Sequence, residues 1–332
     1  MYYQVEQVLE QQEPEIEKFY KGRGILICES RGDLFALKEY FGSPQKAEFL
    51  YWLGICLNQQ GIICDDMMKN KAGSLITEGV DHVSYTFHHW MRGRECDIRK
   101  KMDLIVVVSF LARFHAACSG DEFHDVPEEM QSGRRKELYR EYERHHRDLK
   151  QIRRFILKRN NKSDFERLFL QCYEEFAGQS GAVVRYLEQY PEQSSDYTTG
   201  ICHGDMNQHN VLFTQGGAAV IHLEHAYVGA QITDFGNLLR KIMEKNEWNC
   251  QLGMDLIREY SRVHPLSPQD LRGLYYRLAY PEKFWKIANH YYRTRKVWDS
   301  GQHYEKLSRE IRQNQMRSRF LDTLWECCRK NG

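Results

Sequence analysis

The order of segments along this 332-residue chain predicts an α+β fold in two lobes, residues 1–91 and 92–332. Three observations carry the prediction. Residues 1–91 hold five short β-rich runs and one helical run. Residues 92–332 are mostly of helical periodicity, and a single β-hairpin, 201–226, interrupts those helices.

In the first lobe, "IEKFYK", "GILICES" and "LFALKEY" follow one another between residues 16 and 41, separated by "GRG" and "SRGD". Glycine-bearing breaks between short β-rich runs are hairpin punctuation. Next, "SPQKAEFLYWLGICLNQQG" places Ser43 where an N-cap belongs, Pro44 at the first helical position and Gly61 as the stop. "GSLITEGV" and "SYTFHHWM" supply the remaining two strands. The second lobe opens at "RGRECD", and "MDLIVVVSFLARFHAAC", apolar on nearly every face, predicts a buried central helix over 102–118. An insertion at about 121–198 reads as a helical hairpin. Leu138, Tyr142, Leu149, Ile152 and Ile156 repeat at three or four residues, as do Phe165, Leu168, Phe169, Tyr173 and Phe176. Beyond the break at "YPEQSSDYTTG", "VLF" and "AAVIHLEHA" are expected as strands, with helices to the end. This is the two-lobed plan of kinase-like folds.

Composition narrows the class of protein. At 42% hydrophobic and 13% aromatic residues, the chain has the apolar surface that disordered chains lack. A net charge of +1 makes no global case for nucleic acid or a membrane surface, and no run approaches the roughly 18 apolar residues of a membrane span. The start carries no basic segment followed by an apolar one, so the expectation is a protein made and folded in the cytosol. Ten cysteines without a C-x-x-C pair are expected to be reduced and buried.

The chemistry-bearing stretch is "ICHGDMNQHNVLF". His203, Asp205 and Asn210 stand at the H-x-D-x-x-x-x-N spacing of a phosphotransfer loop, where the Asp accepts the proton of a substrate hydroxyl, the Asn holds a metal ion and the His supports the loop. H-G-D in place of H-R-D points to the aminoglycoside and choline kinase branch. In the first lobe, Lys38 of "FALKEY" ends the third strand, where a kinase lysine grips phosphates, and Glu48 lies ten residues on in the following helix, placed to pair with it. A solvated surface pair is the plainer reading of either residue in isolation. Gly22 and Gly24 fall between strands one and two, where phosphates would be covered, although Arg23 sets a charge between them. ATP with Mg²⁺ or Mn²⁺ is the cofactor set such a loop would take.

A literal Asp-Phe-Gly occurs at Asp234–Gly236, but it lies 24 residues beyond Asn210, too far for the hairpin, and opens an amphipathic run. Asp234 is therefore expected to cap that helix and buttress the catalytic loop. The metal-binding Asp of such enzymes stands about a dozen residues after the Asn, and His222 occupies that place. An imidazole offers one neutral nitrogen where magnesium asks for anionic oxygen. Losing one preorganised electrostatic group commonly costs on the order of 2.7–4 kcal/mol in transition-state stabilisation. If the strand continues, Glu224 shares a face with His222 and could supply a carboxylate; a transition metal on His222 and Asn210 is the other rescue. Between Arg134 and Arg159 eleven Lys/Arg face four Asp/Glu, a surplus of seven that is either a solvated face or a dock for an anionic partner. The aromatic run from Tyr280 to Trp298 reads as a packed helix or, alternatively, as a sugar or choline pocket.

Taken together, "LFALKEYFGS", "WMRGRECD", "ICHGDMNQHNVLF", "DFGNLLRKIMEKNEWN" and "YPEKFWKIANHYY" resemble the CotS family of bacterial spore coat proteins, of the aminoglycoside phosphotransferase-like kinase fold. The resemblance runs from about residue 16 to about 325. It implies synthesis in the mother cell of a sporulating bacterium, placement in the spore coat and other coat proteins as partners. It further implies that Lys38 and Glu48 anchor nucleotide, that His88, His89, Trp90 and Met91 form the linker bordering an adenine pocket, and that Asp205 and Asn210 form the catalytic loop. His222 departs from the family of active phosphotransferases. Two functions follow: a pseudokinase-like coat scaffold, or an ATP-dependent kinase in which Glu224 compensates for His222.

Overall fold

A computed structural model of the chain describes residues 2–80, 82–119, 126–127, 130, 134–189, 197–293 and 300–330. Two compact units emerge, 1–132 with 200–228, and 133–199 with 229–332. This grouping differs from the expected division at residue 91, because the hairpin 201–226 joins a sheet made with segments of the first hundred residues.

The first unit opens with a helix the sequence reading did not anticipate, α1 (Tyr2–Leu9). At eight residues it is too short to be stable alone. Val8 and Leu9 pack into the sheet, and the buried Gln12 amide fastens the helix end by donating to the Val8 carbonyl and to Thr77 Oγ1. Strands β1 (Lys18–Lys21), β2 (Leu26–Ser30) and β3 (Asp33–Glu39) follow as antiparallel hairpins. Helix α2 (Pro44–Gln59) begins as expected, with the Ser43 side chain accepting the Lys46 N–H. After it come β4 (Ile63–Cys64), β5 (Met67–Met68), β6 (Thr77–Glu78) and β7 (Ser84–Trp90). The first sheet runs β1-β2-β3-β7-β5 with β6 on β7, so all five expected strands are present and β5 adds a sixth.

The two-residue β8 (Arg94–Glu95) and the buried helix α3 (Lys101–Ala117) come next. Helices α4 (Arg134–Leu157) and α5 (Asp164–Gln189) belong to the second unit. Then come β9 (Thr199–Cys202), β10 (Val211–Thr214) and β11 (Gly217–Val220), of which β10 and β11 form the expected hairpin. A second sheet has the order β4-β11-β10-β8, and it ties the hairpin to both flanks of the first hundred residues. β11 ends at Val220, so the strand expected to run through "HLEHA" does not: Leu223–His225 form a single 3₁₀ turn before β12 (Tyr227–Ala230), which pairs with β9.

The second unit is helical: α4, α5, α6 (Ile232–Lys245), α7 (Cys250–Val263), α8 (Pro268–Ala279), α9 (Glu282–Arg293) and α10 (Ser300–Lys330). Its core joins Leu149, Ile156, Phe165, Phe169 and Phe176 to Phe284, whose ring stacks 4.3 Å from Phe176. The helical-hairpin periodicity is thereby accounted for, while the outer parts of the expected insertion, 120–125 and 190–196, lie outside the described residues. Much of the aromatic run from Tyr280 is core, with Tyr280 stacked on Tyr142 at 3.8 Å; residues 294–298 are outside the description. Asp234 is buried in the first turn of α6, where a carboxylate complements the helix dipole, but Gln231 and not Asp234 holds the cap position.

Candidate functional site

All the residues around Lys38 lie in the first unit. Alternation along β3 turns Phe35 and Leu37 toward α1 and leaves Leu34, Ala36 and Lys38 on the opposite face. The register with β7 sets Thr86, His88 and Trp90 beside them, opposite Lys38, Ala36 and Leu34 respectively. His88 is buried there, bridging the Asp65 carbonyl at 2.8 Å and Thr86 Oγ1 at 2.9 Å, and burial pushes its pKa down to about 4. His89 falls on the other face: its ring meets Asp66, and its backbone N–H donates to the Asp66 carbonyl. So the expected linker is still strand through Trp90, and its first two side chains are committed elsewhere; Met91 follows the strand end.

Lys38 does not pair with Glu48, which is exposed on α2. Its buried ammonium sits 2.5 Å from Asp65 Oδ2 and 2.9 Å from Glu224 Oε2. Asp65 comes from the tight connection between β4 and β5, so it reaches Lys38 from directly beside the sheet, whereas Glu48 follows an N-cap that starts α2 at the surface. Burial works against the charge on Lys38, yet Asp65 and Glu224 outweigh it and raise its pKa. Burial likewise opposes ionisation of Glu224, but Lys38, with help from His222, holds the carboxyl far below its usual range. Lys38 and Glu224 thus each favour the charged form of the other.

His222 stands in the left-handed region at φ 71°, ψ 46°, a conformation His tolerates better than most side chains. Its backbone N–H donates to Asp65 Oδ2 at 2.9 Å, and its Nδ1 lies 2.7 Å from Glu224 Oε1. The expected sharing of a strand face by Glu224 and His222 does not arise. The strand has ended, and the left-handed residue followed by the 3₁₀ turn folds Glu224 back, so that it serves Lys38 and His222 together.

The residues expected to form a catalytic loop are brought together. His203 Nε2 lies 2.9 Å from the Ile221 carbonyl, while His203 Nδ1 accepts the Asp205 N–H at 3.2 Å; both bonds require the neutral tautomer protonated on Nε2. Gly204 has φ +87°, and a Cβ there would stand 2.1 Å from the His225 carbonyl oxygen, so the H-G-D glycine is dictated by backbone contact as well as by conformation. The Asn210 amide donates to the Asp205 carbonyl at 2.8 Å and to Asp205 Oδ2 at 3.2 Å, and Asn207, which sequence reasoning did not single out, makes the same pair of bonds. Gly22 and Gly24 form a hairpin turn closed by Gly22 N–H to the Ile25 carbonyl, with Gly24 at φ +74° and Arg23 reaching out to Glu95 at 3.5 Å.

The two carboxylates beside Lys38 are committed within the chain. Among the described residues no group of three or more His, Cys, Asp or Glu side chains could hold a metal ion. The Glu224 carboxylate is divided between Lys38 and His222, and Asp65 Oδ2 is taken by Lys38 and the His222 N–H. Asp65 was missed from sequence; its only signal is an acid pair inside the apolar run "ICDDMM".

The sheet, the loop and the lysine together define a kinase-like fold of the aminoglycoside phosphotransferase type. A solved aminoglycoside phosphotransferase from Alicyclobacillus acidocaldarius subsp. acidocaldarius DSM 446 superposes with a TM-score of 0.84 at 18% identity, over 98% of this chain and 96% of that one. The amicoumacin kinase hAmiN, solved in complex with AMP-PNP, Ca²⁺ and Ami, gives 0.63 at 14% identity, over 96% and 93%. This chain belongs to the family described as "Spore coat putative kinase YutH", which matches residues 15–324. It is also similar to Spore coat protein S of Bacillus subtilis (strain 168), 23% identical over 317 residues, covering 93% of this chain and 89% of that protein.

Proposed function

We propose that this protein is a spore coat component, made in the mother cell, that keeps the kinase-like fold as a scaffold and carries out little or no phosphoryl transfer. One observation carries the reading: the ammonium of Lys38 is enclosed by two carboxylates in a site whose metal position presents an imidazole. A triphosphate brought to that lysine would meet Asp65 and Glu224 at close range, and without a cation to bridge them the like charges repel. Other coat proteins are the proposed partners. The exposed bases of α4, Arg140, Arg144, Lys150 and Arg154, with Lys158 just past its end, form the surface that an anionic partner would meet; the side chains of Arg134–Lys136 are outside the description. Membership of a coat family and similarity to Spore coat protein S of B. subtilis support this assignment.

The rival reading, an ATP-dependent phosphotransferase with Asp205 as base, draws on the ordered loop of His203, Asp205 and Asn210. Thermal denaturation with millimolar ATP and Mg²⁺ or Mn²⁺, run beside a phosphate-release assay, separates the two. The scaffold reading expects no metal-dependent stabilisation and no turnover, because a ligand selective for the folded state must raise its stability. Turnover abolished by Asp205→Ala would replace it with the enzyme.

A further inference from the structure

We infer that Trp90 is the built-in occupant of an aromatic slot on the Lys38 face of the sheet, and that this side chain decides which ligands the slot admits. The inference deepens the scaffold reading by addressing ligand entry, a step that precedes any chemistry at His222. Three contacts fix the ring. It packs against the buried apolar strip of Ile25, Ile27, Leu34 and Ala36. The Lys38 ammonium lies 5.9 Å from its centroid, within the range of cation–π attraction. On another side the His222 ring meets it edge-on, with centroids 6.3 Å apart at 72°.

The backbone holds the ring there. β7 stays in register with β3 as far as Trp90 opposite Leu34, so Trp90 belongs to a paired strand whose alternation directs it to the Lys38 face. On the far side of β7 the His89 N–H is already given to the Asp66 carbonyl. The surroundings, an apolar floor, a cation over the ring and an aromatic edge, are those that suit a flat, bicyclic, uncharged ring system. An indole supplied by the chain satisfies them now; a free indole or the purine of adenosine would compete for the same volume.

The test uses the full chain with Trp90→Gly, in buffer containing EDTA so that no metal contributes. Removing the half-buried indole leaves an apolar notch beside Lys38 that a matching aromatic molecule would refill. Millimolar indole should raise the melting temperature of the variant saturably while leaving the wild type unchanged, and adenosine should bind the variant at least roughly tenfold more tightly than the wild type. Should Trp90→Gly fail to fold, Trp90→Leu keeps apolar cover with a smaller volume and should show the same preference, reduced in size. Equal adenosine affinity in wild type and variant, or a folded variant indifferent to both indole and adenosine, overturns the inference. Because the readout is metal-free binding, such a result leaves the scaffold reading standing.

Discussion

Two buried ionic groups, one in each unit, are built alike and differ in what balances them. In the first unit Lys38 lies between Asp65 and Glu224; in the second Arg240 lies between Glu244 at 2.5 Å and Glu282 at 3.3 Å. Both cations are raised in pKa by two carboxylates acting against burial. Around Arg240 the second negative charge is met by half-exposed lysines, Lys283 and Lys286, and the arrangement is an ordinary helix-to-helix clamp. Around Lys38 no second lysine or arginine comes within ion-pair distance of Asp65 or Glu224 among the described residues; the His222 ring and its backbone N–H complete the set. The comparison teaches that a lysine in a kinase position is here bonded as a structural cation is.

The sharpest way to break that comparison is to remove both cations. Lys38→Met and Arg240→Met should each cost about 3–5 kcal/mol, since deleting one partner strands buried carboxylates. Denaturant unfolding measures both, and a Lys38 variant as stable as the wild type would show that its lysine is held for a ligand and not for the fold. Next in size is a pH effect. His88, neutral in the fold with a pKa near 4 against 6.5 for an ordinary histidine, binds its proton preferentially in the unfolded chain. Its contribution is therefore complete above pH 6.5 and lost as pH falls toward 4, by about 3 kcal/mol in all. His88→Gln, which does not titrate, should flatten the stability–pH slope over that window by up to about one proton, read from unfolding midpoints at several pH values. Smallest of all, Glu48→Ala should stay within about 0.5 kcal/mol of the wild type, because the residue is exposed and takes no part in holding Lys38.

Much of the fold was legible because it rests on local signals. Ser43 and Pro44 fix the start of α2 by hydrogen bonding and a preset backbone angle, and the loop spacing from His203 to Asn210 survives because its bonds close within eight residues. The partner of Lys38 was not legible. Glu48 sits at a plausible distance in sequence, but Asp65 and Glu224 reach the lysine from 27 and 186 residues away. The case of Glu224 is instructive: strand alternation put it on one face with His222, whereas a turn folds it back onto the imidazole.

By itself the sequence determined the kinase-like order of elements, the loop of His203, Asp205 and Asn210, and an imidazole twelve residues beyond that Asn, since each depends on residue type and short-range spacing. Only the tertiary structure decided where the charge of Lys38 is spent, and that Trp90 turns onto the same face, because both follow from sheet register and from a turn that no local pattern encodes.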